Sequence, residues 1–260
     1  MRGGVKTVVY QSFRTTDVPP WIETCMQSAR DWAAARRFEY RFYDDAFFDL
    51  CPPWYRDRVE RNILLMSDLA RLVAARRLLD EGFERTIWID ADLLIFAPAA
   101  FEVETSEPFA FNTELWVNRE QGKFIGWRRV NNAVCTFDRG NPFLDFYVDA
   151  CQRIVRQVLA DAPIDRLSVG TNFLAALHKL TPLPLIRSVG TFNPILMDLL
   201  VRGDREPLRA YRKFFGHPIG AANLCGSFRG QVVQGVKMED SIYEGTATAL
   251  QGPAGAEISQ

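Results

Sequence analysis

Histidine is nearly absent from this 260-residue chain, with His178 and His217 the only two. The five cysteines, at 25, 51, 135, 151 and 225, are odd in number and widely spaced, and no CxxC pair occurs. That pattern points to reduced, mostly buried thiols in a cytosolic protein rather than a disulfide framework. Neither sign of charge dominates: 31 basic against 32 acidic residues leave a net charge of −1. Composition therefore gives no argument for nucleic acid or another polyanionic partner. No apolar run is long enough to span a membrane, and the apolar part of MRGGVKTVVYQSF is too short for a secretory signal. There is no GxGxxG and no GxxxxGK[ST], so a dinucleotide fold and a Walker-type phosphate loop lack support. No internal repeat is seen.

What the chain does have is a hydrophobic fraction of 48%, enough for a real core in one large α/β domain. Its most informative stretch is Ser67 to Phe96, SDLARLVAARRLLDEGFERTIWIDADLLIF. Thr86-Ile87-Trp88-Ile89 is apolar on consecutive residues, as suits a strand covered on both faces. It ends in Asp90-Ala91-Asp92. Residues two apart on an extended chain point to the same side, so both carboxylates can converge on one point. Buried together they require a cation, a basic partner or water. A divalent metal with oxygen ligands fits, and strand ends are where open α/β sheets place ligands. In the preceding helix Leu65, Leu69, Leu72, Val73 and Leu79 form an apolar stripe. Asp68 and Arg71, three apart, are neighbours on its flank. They are either an ordinary intrahelical ion pair or a donor–acceptor pair for sugar hydroxyls. Arg76 falls inside the stripe, where its stem can snorkel.

Elsewhere the sequence predicts a first strand at Val5–Tyr10 and a helix opened by Pro19-Pro20 and running from Trp21 to Arg37. A second strand follows at Phe38–Tyr43, and Asp44-Asp45 reads as a loop or cap. Trp54 to Glu81 reads as broken or consecutive helices ending near Gly82. Short strands are expected at Leu93–Phe96, Phe109–Asn112 and Leu183–Arg187, with two more around Asn131-Asn132 within Gly126–Asp138. Helices are expected at Phe143–Leu159, from Gly170-Thr171-Asn172 through Leu177, and from Asn193-Pro194 to Tyr211. Lys213 to Gly230 reads as a closing loop. Residues 245–260 lack apolar periodicity and read as a disordered tail after a single domain over 1–244. Strand, helix, strand, helices, strand is the order of a wound α/β sheet with a site at its strand ends.

Four segments carry a resemblance. Val8-Val9-Tyr10-Gln11-Ser12-Phe13, with PPWIETCMQSARDW after it, resembles the opening strand and helix of GT-A glycosyltransferases with a DXD motif. Within these the likeness is to the sugar-binding-region group, which includes yeast-type mannosyltransferases, vertebrate α-galactosyltransferases and bacterial capsule enzymes. Ser67-Asp68-Leu69-Ala70-Arg71 resembles that group's SDxxR helix, and Asp90-Ala91-Asp92 its DXD. His217 with Gly226-Ser227-Phe228 resembles its C-terminal histidine and Gly-Ser-Trp, with Phe228 in place of Trp. The resemblance spans residues 5 to 230. It implies a GT-A fold, a single Rossmann-like mixed sheet flanked by helices. It also implies transfer of a hexose from a UDP- or GDP-sugar to a glycan, lipid-linked or other hydroxyl acceptor, with retained configuration.

The resemblance further implies roles for individual residues. Asp92 and Asp90 would serve catalysis by holding Mn²⁺ or Mg²⁺, Asp90 also reaching the ribose, with His217 as a distant third ligand. A nitrogen ligand would favour Mn²⁺. Tyr10, Gln11 and Phe13 would seat base and ribose, Asp68 and Arg71 the donor hexose, and Ser227 and Arg229 the phosphates. Asn131, Asn132, Thr171 and Asn172 would face sugar or acceptor, although capping explains Thr171 and Asn172 equally well. Trp116 and Trp127 are candidates to stack on sugar faces, or are core. His178, inside a helix, reads as structural. No residue stands out as a nucleophile, which favours front-face substitution. The Ala- and Arg-rich usage suggests a bacterial chain, and an acceptor held by lipid would put the enzyme at the inner membrane face. Two other classes also use such features. Haloacid dehalogenase-like phosphatases carry a DxD after an apolar strand, but near the N-terminus and with Thr or Val where Leu94 stands; Gly203-Asp204 faintly echoes their later acidic motif. The other is a nucleotide-sugar binding module without activity.

Overall fold

The computed structural model describes residues 5–103, 105–158 and 162–260. The first apolar run forms β1 (Thr7–Ser12), followed by α1 (Pro20–Ala35), which opens on a proline in its first turn. Next come β2 (Glu39–Tyr43) and a 3-10 turn at Asp45–Leu50. Asp44 caps that turn through Ala46 N–H, at 2.9 Å. The chain returns through α2 (Pro53–Arg58) and α3 (Ile63–Asp80). The Asn62 side chain caps α3 by accepting from Leu64 and Leu65 N–H. Gly82, at φ +109°, turns the chain out of it into β3 (Arg85–Ile89).

After β4 (Leu93–Ile95) come β5 (Phe109–Glu120) and β6 (Lys123–Asp138), far longer than the expected strands. Gln121 and Gly122 join them, both at positive φ, as a two-residue hairpin turn requires. Then follow α4 (Pro142–Gln157), α5 (Thr171–Leu180), β7 (Leu185–Ile186) and β8 (Val189–Thr191). Two helices, α6 (Pro194–Val201) and α7 (Glu206–Phe215), replace the single helical region expected there. The expected closing loop contains β9 (Ala221–Asn223) and a 3-10 turn at Gly226–Phe228. The chain ends with the hairpin β10 (Val232–Val233) and β11 (Val236–Lys237), then α8 (Asp240–Leu250) and α9 (Pro253–Ile258). The expected end of α4, at Leu159, lies outside the described residues.

The expected α/β class is the one the chain adopts. A six-stranded sheet has the order β2-β1-β3-β6-β5-β7. β1 is parallel to β2 and β3, β6 is antiparallel to β3 and β5, and β7 is parallel to β5. Alternate residues of its central strands enter different cores. Val8, Tyr10 and Trp88 pack with α3 and α4, whereas Val9, Ile87 and Ile89 pack with Ala29, Trp32 and Ala33 of α1. That is why Ile87, Trp88 and Ile89 of β3 are apolar on consecutive residues. A smaller sheet, β4-β9-β8, lies beside a third core built from α1 and α6 to α9.

The pairing of β5 with β6 breaks once. Phe111 faces Cys135, but Asn112 faces Asn131, so Asn132, Ala133 and Val134 are extra on β6. Val134 and Ala133 still meet the other neighbour, Ile89 opposite Val134 and Asp90 N–H on Ala133 O at 2.8 Å. The Asn112 side chain replaces the missing ladder bond, its Oδ1 accepting from Val134 N–H at 2.9 Å. Irregularities of this kind re-aim side chains.

Residues 245–260 are not a disordered tail. They belong to α8 and α9, and Ala247, Leu250, Ala254 and Ile258 are buried in the third core. The small residues that hide the periodicity are there for closeness: a Cβ on Gly255 would overlap the Leu250 carbonyl. Leu250→Ala should therefore lower stability by about 2–5 kcal/mol in urea unfolding, and deletion of residues 245–260 by more. A truncated protein with an unchanged midpoint would show that the segment contributes no core.

Candidate active site

The carboxyl end of β3 delivers Asp90 and Asp92 to a cleft of about 930 Å³. Helix α3 runs past the same point and supplies Asp68 and Arg71. Their ion pair, Arg71 Nη2 to Asp68 Oδ1 at 3.3 Å, is not an ordinary solvated one: the residues are 5% and 6% exposed. Arg71 Nη1 also meets Asp90 Oδ1 at 3.1 Å and donates to Asn132 O at 2.6 Å. Its Nε–H donates to Ser67 O at 3.2 Å, and its guanidinium lies over the Trp88 ring. Trp88 Nε1–H donates to Asp90 Oδ1 at 2.6 Å. One guanidinium thus serves two carboxylates and two backbone carbonyls.

The break in β6 builds the opposite wall. Asn132 Nδ2 donates to Asp68 Oδ1 at 2.8 Å, and Asn131 Nδ2 to Glu114 Oε2 at 2.7 Å. Asn112, Glu114 and Trp116 alternate along β5, and Glu114 and Trp116 line the cleft. Helix α5 begins beside Asp68, so close that a Cβ on Gly170 would strike its carboxylate. Thr171 and Asn172 follow at the helix start and face the cleft. From the small sheet and the turn after it come Thr191, Asn223, Cys225, Ser227 and Phe228. The turn reaches Asp92 directly: Gly226 N–H donates to its Oδ2 at 2.6 Å, with Asn223 Nδ2 3.4 Å from Oδ1.

The charges do not balance. The buried Asp68 and Glu114 and the half-buried Asp90 and Asp92 line the cleft with Arg71 as the single buried cation there among the described residues. Burial pushes Asp68 up to about 6, against the pull of Arg71 and the Asn132 hydrogen bond. Burial, then the neighbouring Asp90, pushes Asp92 up to about 7. Asp90 and Glu114 are raised by burial as well. Asp92 has no ion-pair partner among the described residues, so it is the group most in need of a cation.

The expected site residues divide clearly. Asp68, Arg71, Asp90, Asp92, Asn131, Asn132, Thr171, Asn172, Ser227, Trp116 and Trp127 line the one cleft. Tyr10, Gln11 and Phe13 do not. Tyr10 is buried and donates its hydroxyl hydrogen bond to Arg71 O at 2.7 Å. Gln11 is buried between Asp90 O, to which it donates at 3.3 Å, and the Tyr40 hydroxyl. Phe13 packs on the third core. The first two are fully buried and support Arg71 and the β3 end from behind. Arg229 is paired with Asp240, away from the cleft. Arg76 is exposed near Asp145 and not in the apolar stripe.

His217 is also misplaced by sequence order. It lines a separate hollow with Glu102, Arg187 and Ser188, its Nε2 3.3 Å from Arg187 Nη1. Among the described residues no three His, Cys, Asp or Glu side chains cluster as a metal cage. The chain's donors at the cleft are therefore two carboxylates, Asp90 and Asp92. They fit a hard divalent ion whose remaining positions are filled by a ligand's oxygens, and they do not fit one shared with His217. His178 accepts from Leu183 N–H at 2.9 Å, the structural role expected, while also touching the cleft.

Glu114, Arg129, Lys179, Thr191 and Asn223 line the cleft without having been expected there. Glu114 was the one with a signal, a charge in the middle of the apolar alternation FAFNTELWV. The Thr191 hydroxyl is buried and without a hydrogen-bond partner, an orphan that a ligand hydroxyl would satisfy.

No protein-family model matches the chain, and no curated protein matches it. Solved structures align with it only distantly. A glycosyltransferase involved in the glycosylation of the major capsid of PBCV-1 aligns over 84% of this chain and 93% of that one, with 8% identity and a TM-score of 0.44. Mannose-1-phosphate geranyltransferase from Thermus thermophilus aligns over 63% and 67%, with 14% identity and a TM-score of 0.30. A197 from STIV aligns over 67% and 78%, with 11% identity and a TM-score of 0.25. With scores this low, function has to be read from the cleft itself.

The carboxyl shifts fix a pH dependence. Asp92 rises from an ordinary 3.8 to about 7 on folding. Between those values the folded protein holds a proton that the unfolded chain has released, so this group's contribution to stability falls as pH rises. Without divalent cations, Asp92→Asn should be more stable than the parent at pH 8, and the gap should close towards pH 4. Urea midpoints of the two proteins across that range test it; a variant less stable at pH 8 would contradict the assignment.

Proposed function

We propose that the protein is a metal-dependent glycosyltransferase of the GT-A kind, which moves a hexose from a nucleotide-diphosphate sugar to a hydroxyl acceptor. The observation that carries this reading is the convergence, in one cleft at a strand end, of the Asp90/Asp92 pair, in which Asp92 has no ion-pair partner among the described residues, and a buried Asp68–Arg71 pair. A Mn²⁺ or Mg²⁺ ion at Asp92 and Asp90 would neutralise the donor's diphosphate and stabilise it as leaving group. Gly226 N–H and Asn223 orient Asp92. Asp68, held by Asn132 and Arg71, offers acceptor lone pairs to sugar hydroxyls, and Asn131 and Thr191 add polar contacts.

Retention of configuration by front-face attack is part of the proposal, the leaving phosphate helping to take the acceptor's proton. Glu114 is the one further buried carboxylate at the cleft among the described residues, and an adduct trapped on it would replace front-face attack with a covalent intermediate. A phosphatase reading would need Asp90 as nucleophile. Its carboxylate is engaged by Arg71 and Trp88, which disfavours that role.

The test is nucleotide release from a panel of UDP- and GDP-sugars with Mn²⁺, Mg²⁺ or EDTA. One donor should be consumed, only with a divalent ion, and Asp92→Asn should reduce the rate by about 10² or more. Phosphate release from a simple phosphomonoester, with no donor consumed, would overturn the reading in favour of a phosphatase. Metal-dependent donor binding without release, acceptors supplied, would mark an inactive binding module.

A further inference from the structure

The outer wall of the cleft has the opposite charge from its floor. Trp127, Arg128 and Arg129 of β6 and Lys179 of α5 line it. Trp127 is 44% exposed and sits opposite Trp116 in the strand register. Arg129 is half-buried; its Nη2 donates to Asn172 Oδ1 at 2.6 Å, and no carboxylate lies within ion-pair distance among the described residues. Glu114 feels its charge without contacting it. Arg128 is held by the carbonyls of Phe214 and Phe215, which fix its direction and leave its charge uncompensated. Lys179 is exposed on the facing helix, again with no acidic partner described. A partly desolvated guanidinium held by neutral acceptors alone is costly unless an anion completes it. Arg129 is in that position; with the exposed Arg128 and Lys179 it makes three cations on two elements, more than the single charge of a carboxylate would match. They match a phosphate, which arginine binds through paired N–H donors and lysine as a point charge. The exposed indole beside them offers a face for a sugar ring.

We propose that this wall binds a phosphate on the acceptor, so that the acceptor is a phosphosaccharide, its sugar against Trp127 and its phosphate between Arg129 and Lys179. The word acceptor rests on the transferase reading; the phosphate site does not. Under that reading the donor's own diphosphate belongs at Asp92, on the acidic side.

Binding in EDTA separates the two sites, since without a divalent ion the carboxylates repel a phosphate. The full chain is titrated with glucose 1-phosphate and with methyl α-glucoside, followed by NMR of the tryptophan indoles. Glucose 1-phosphate should bind and the neutral glucoside should bind at least about tenfold more weakly. Lys179→Gln, at an exposed position safe for folding, and Arg129→Gln should each weaken glucose 1-phosphate binding by about tenfold. Arg153→Gln, a charge removed from exposed α4, should leave it unchanged. Phosphatidylcholine vesicles with and without a prenyl phosphate identify the source. Capture only with the prenyl phosphate assigns the site to lipid-linked acceptors, and no capture assigns it to soluble ones. Equal binding of phosphate and glucoside, no binding of either, or insensitivity to both wall variants would overturn the proposal. A silent donor panel with phosphate binding intact would instead sink the transferase reading alone.

Discussion

One buried guanidinium holds the site together. Arg71 is 5% exposed and spends its donors on Asp68, Asp90, Asn132 O and Ser67 O, while its own carbonyl accepts from Tyr10. These partners come from α3, the end of β3, the irregular part of β6, and β1. The elements that meet at the cleft are thus fixed to each other through a single cation rather than through apolar packing alone. Breaking such a buried pair costs about 3–5 kcal/mol because it leaves charges uncompensated. A guanidinium suits the task because its donors fan out in a plane, so it can hold two carboxylates at set angles, which an ammonium cannot.

The second constraint is the three-residue irregularity in β6. A regular ladder would have carried Asn131 and Asn132 along at the pitch of β5. Instead Asn112 closes the broken ladder with its side chain, Asn131 reaches Glu114, and Asn132 reaches Asp68 with its amide and Arg71 with its carbonyl. The asparagines and the carboxylates they reach are therefore satisfied by one another before any ligand arrives, and the Thr191 hydroxyl is left over. That preorganisation has a cost, visible in the upward shifts of Asp68 and Asp92: the floor carries more negative charge than Arg71 can offset. A fold that tolerates this surplus favours whatever brings positive charge to Asp92.

How much of this was legible in the sequence depended on whether the signal was local. The β3 strand with its terminal aspartates, the Asp68–Arg71 spacing and the α/β order could be read because each rests on short-range periodicity. Burial of the ion pair could not, since i,i+3 spacing is the same on a wet surface and in a core. The length of β5 was missed because Glu114 looks like a strand breaker when its setting, a cleft wall, is unseen, and β6 was read as two strands because Asn131-Asn132 looks like a break between them. The α8–α9 segment was missed because Ala and Gly pack closely with little hydrophobic contrast. Tyr10 and Gln11 were rightly placed at a strand end, but their side chains point into the protein and brace the site from behind.

The fate of His217 bears on how an ion would be held. The resemblance put a histidine and a Gly-Ser turn together near the acidic pair. In the fold only the turn arrives, and it meets Asp92 with the Gly226 amide rather than with an imidazole. An ion at Asp90 and Asp92 would then see oxygen donors only, and the chain's own carboxylates fill few of the positions such an ion requires. Under the proposed function the donor's diphosphate completes the set. Ion and donor then stabilise each other's binding by the same factor, as linkage demands, and neither is held firmly alone. The nitrogen argument for Mn²⁺ over Mg²⁺ disappears with His217, so any preference between the two has to arise from how the bound diphosphate shapes the site.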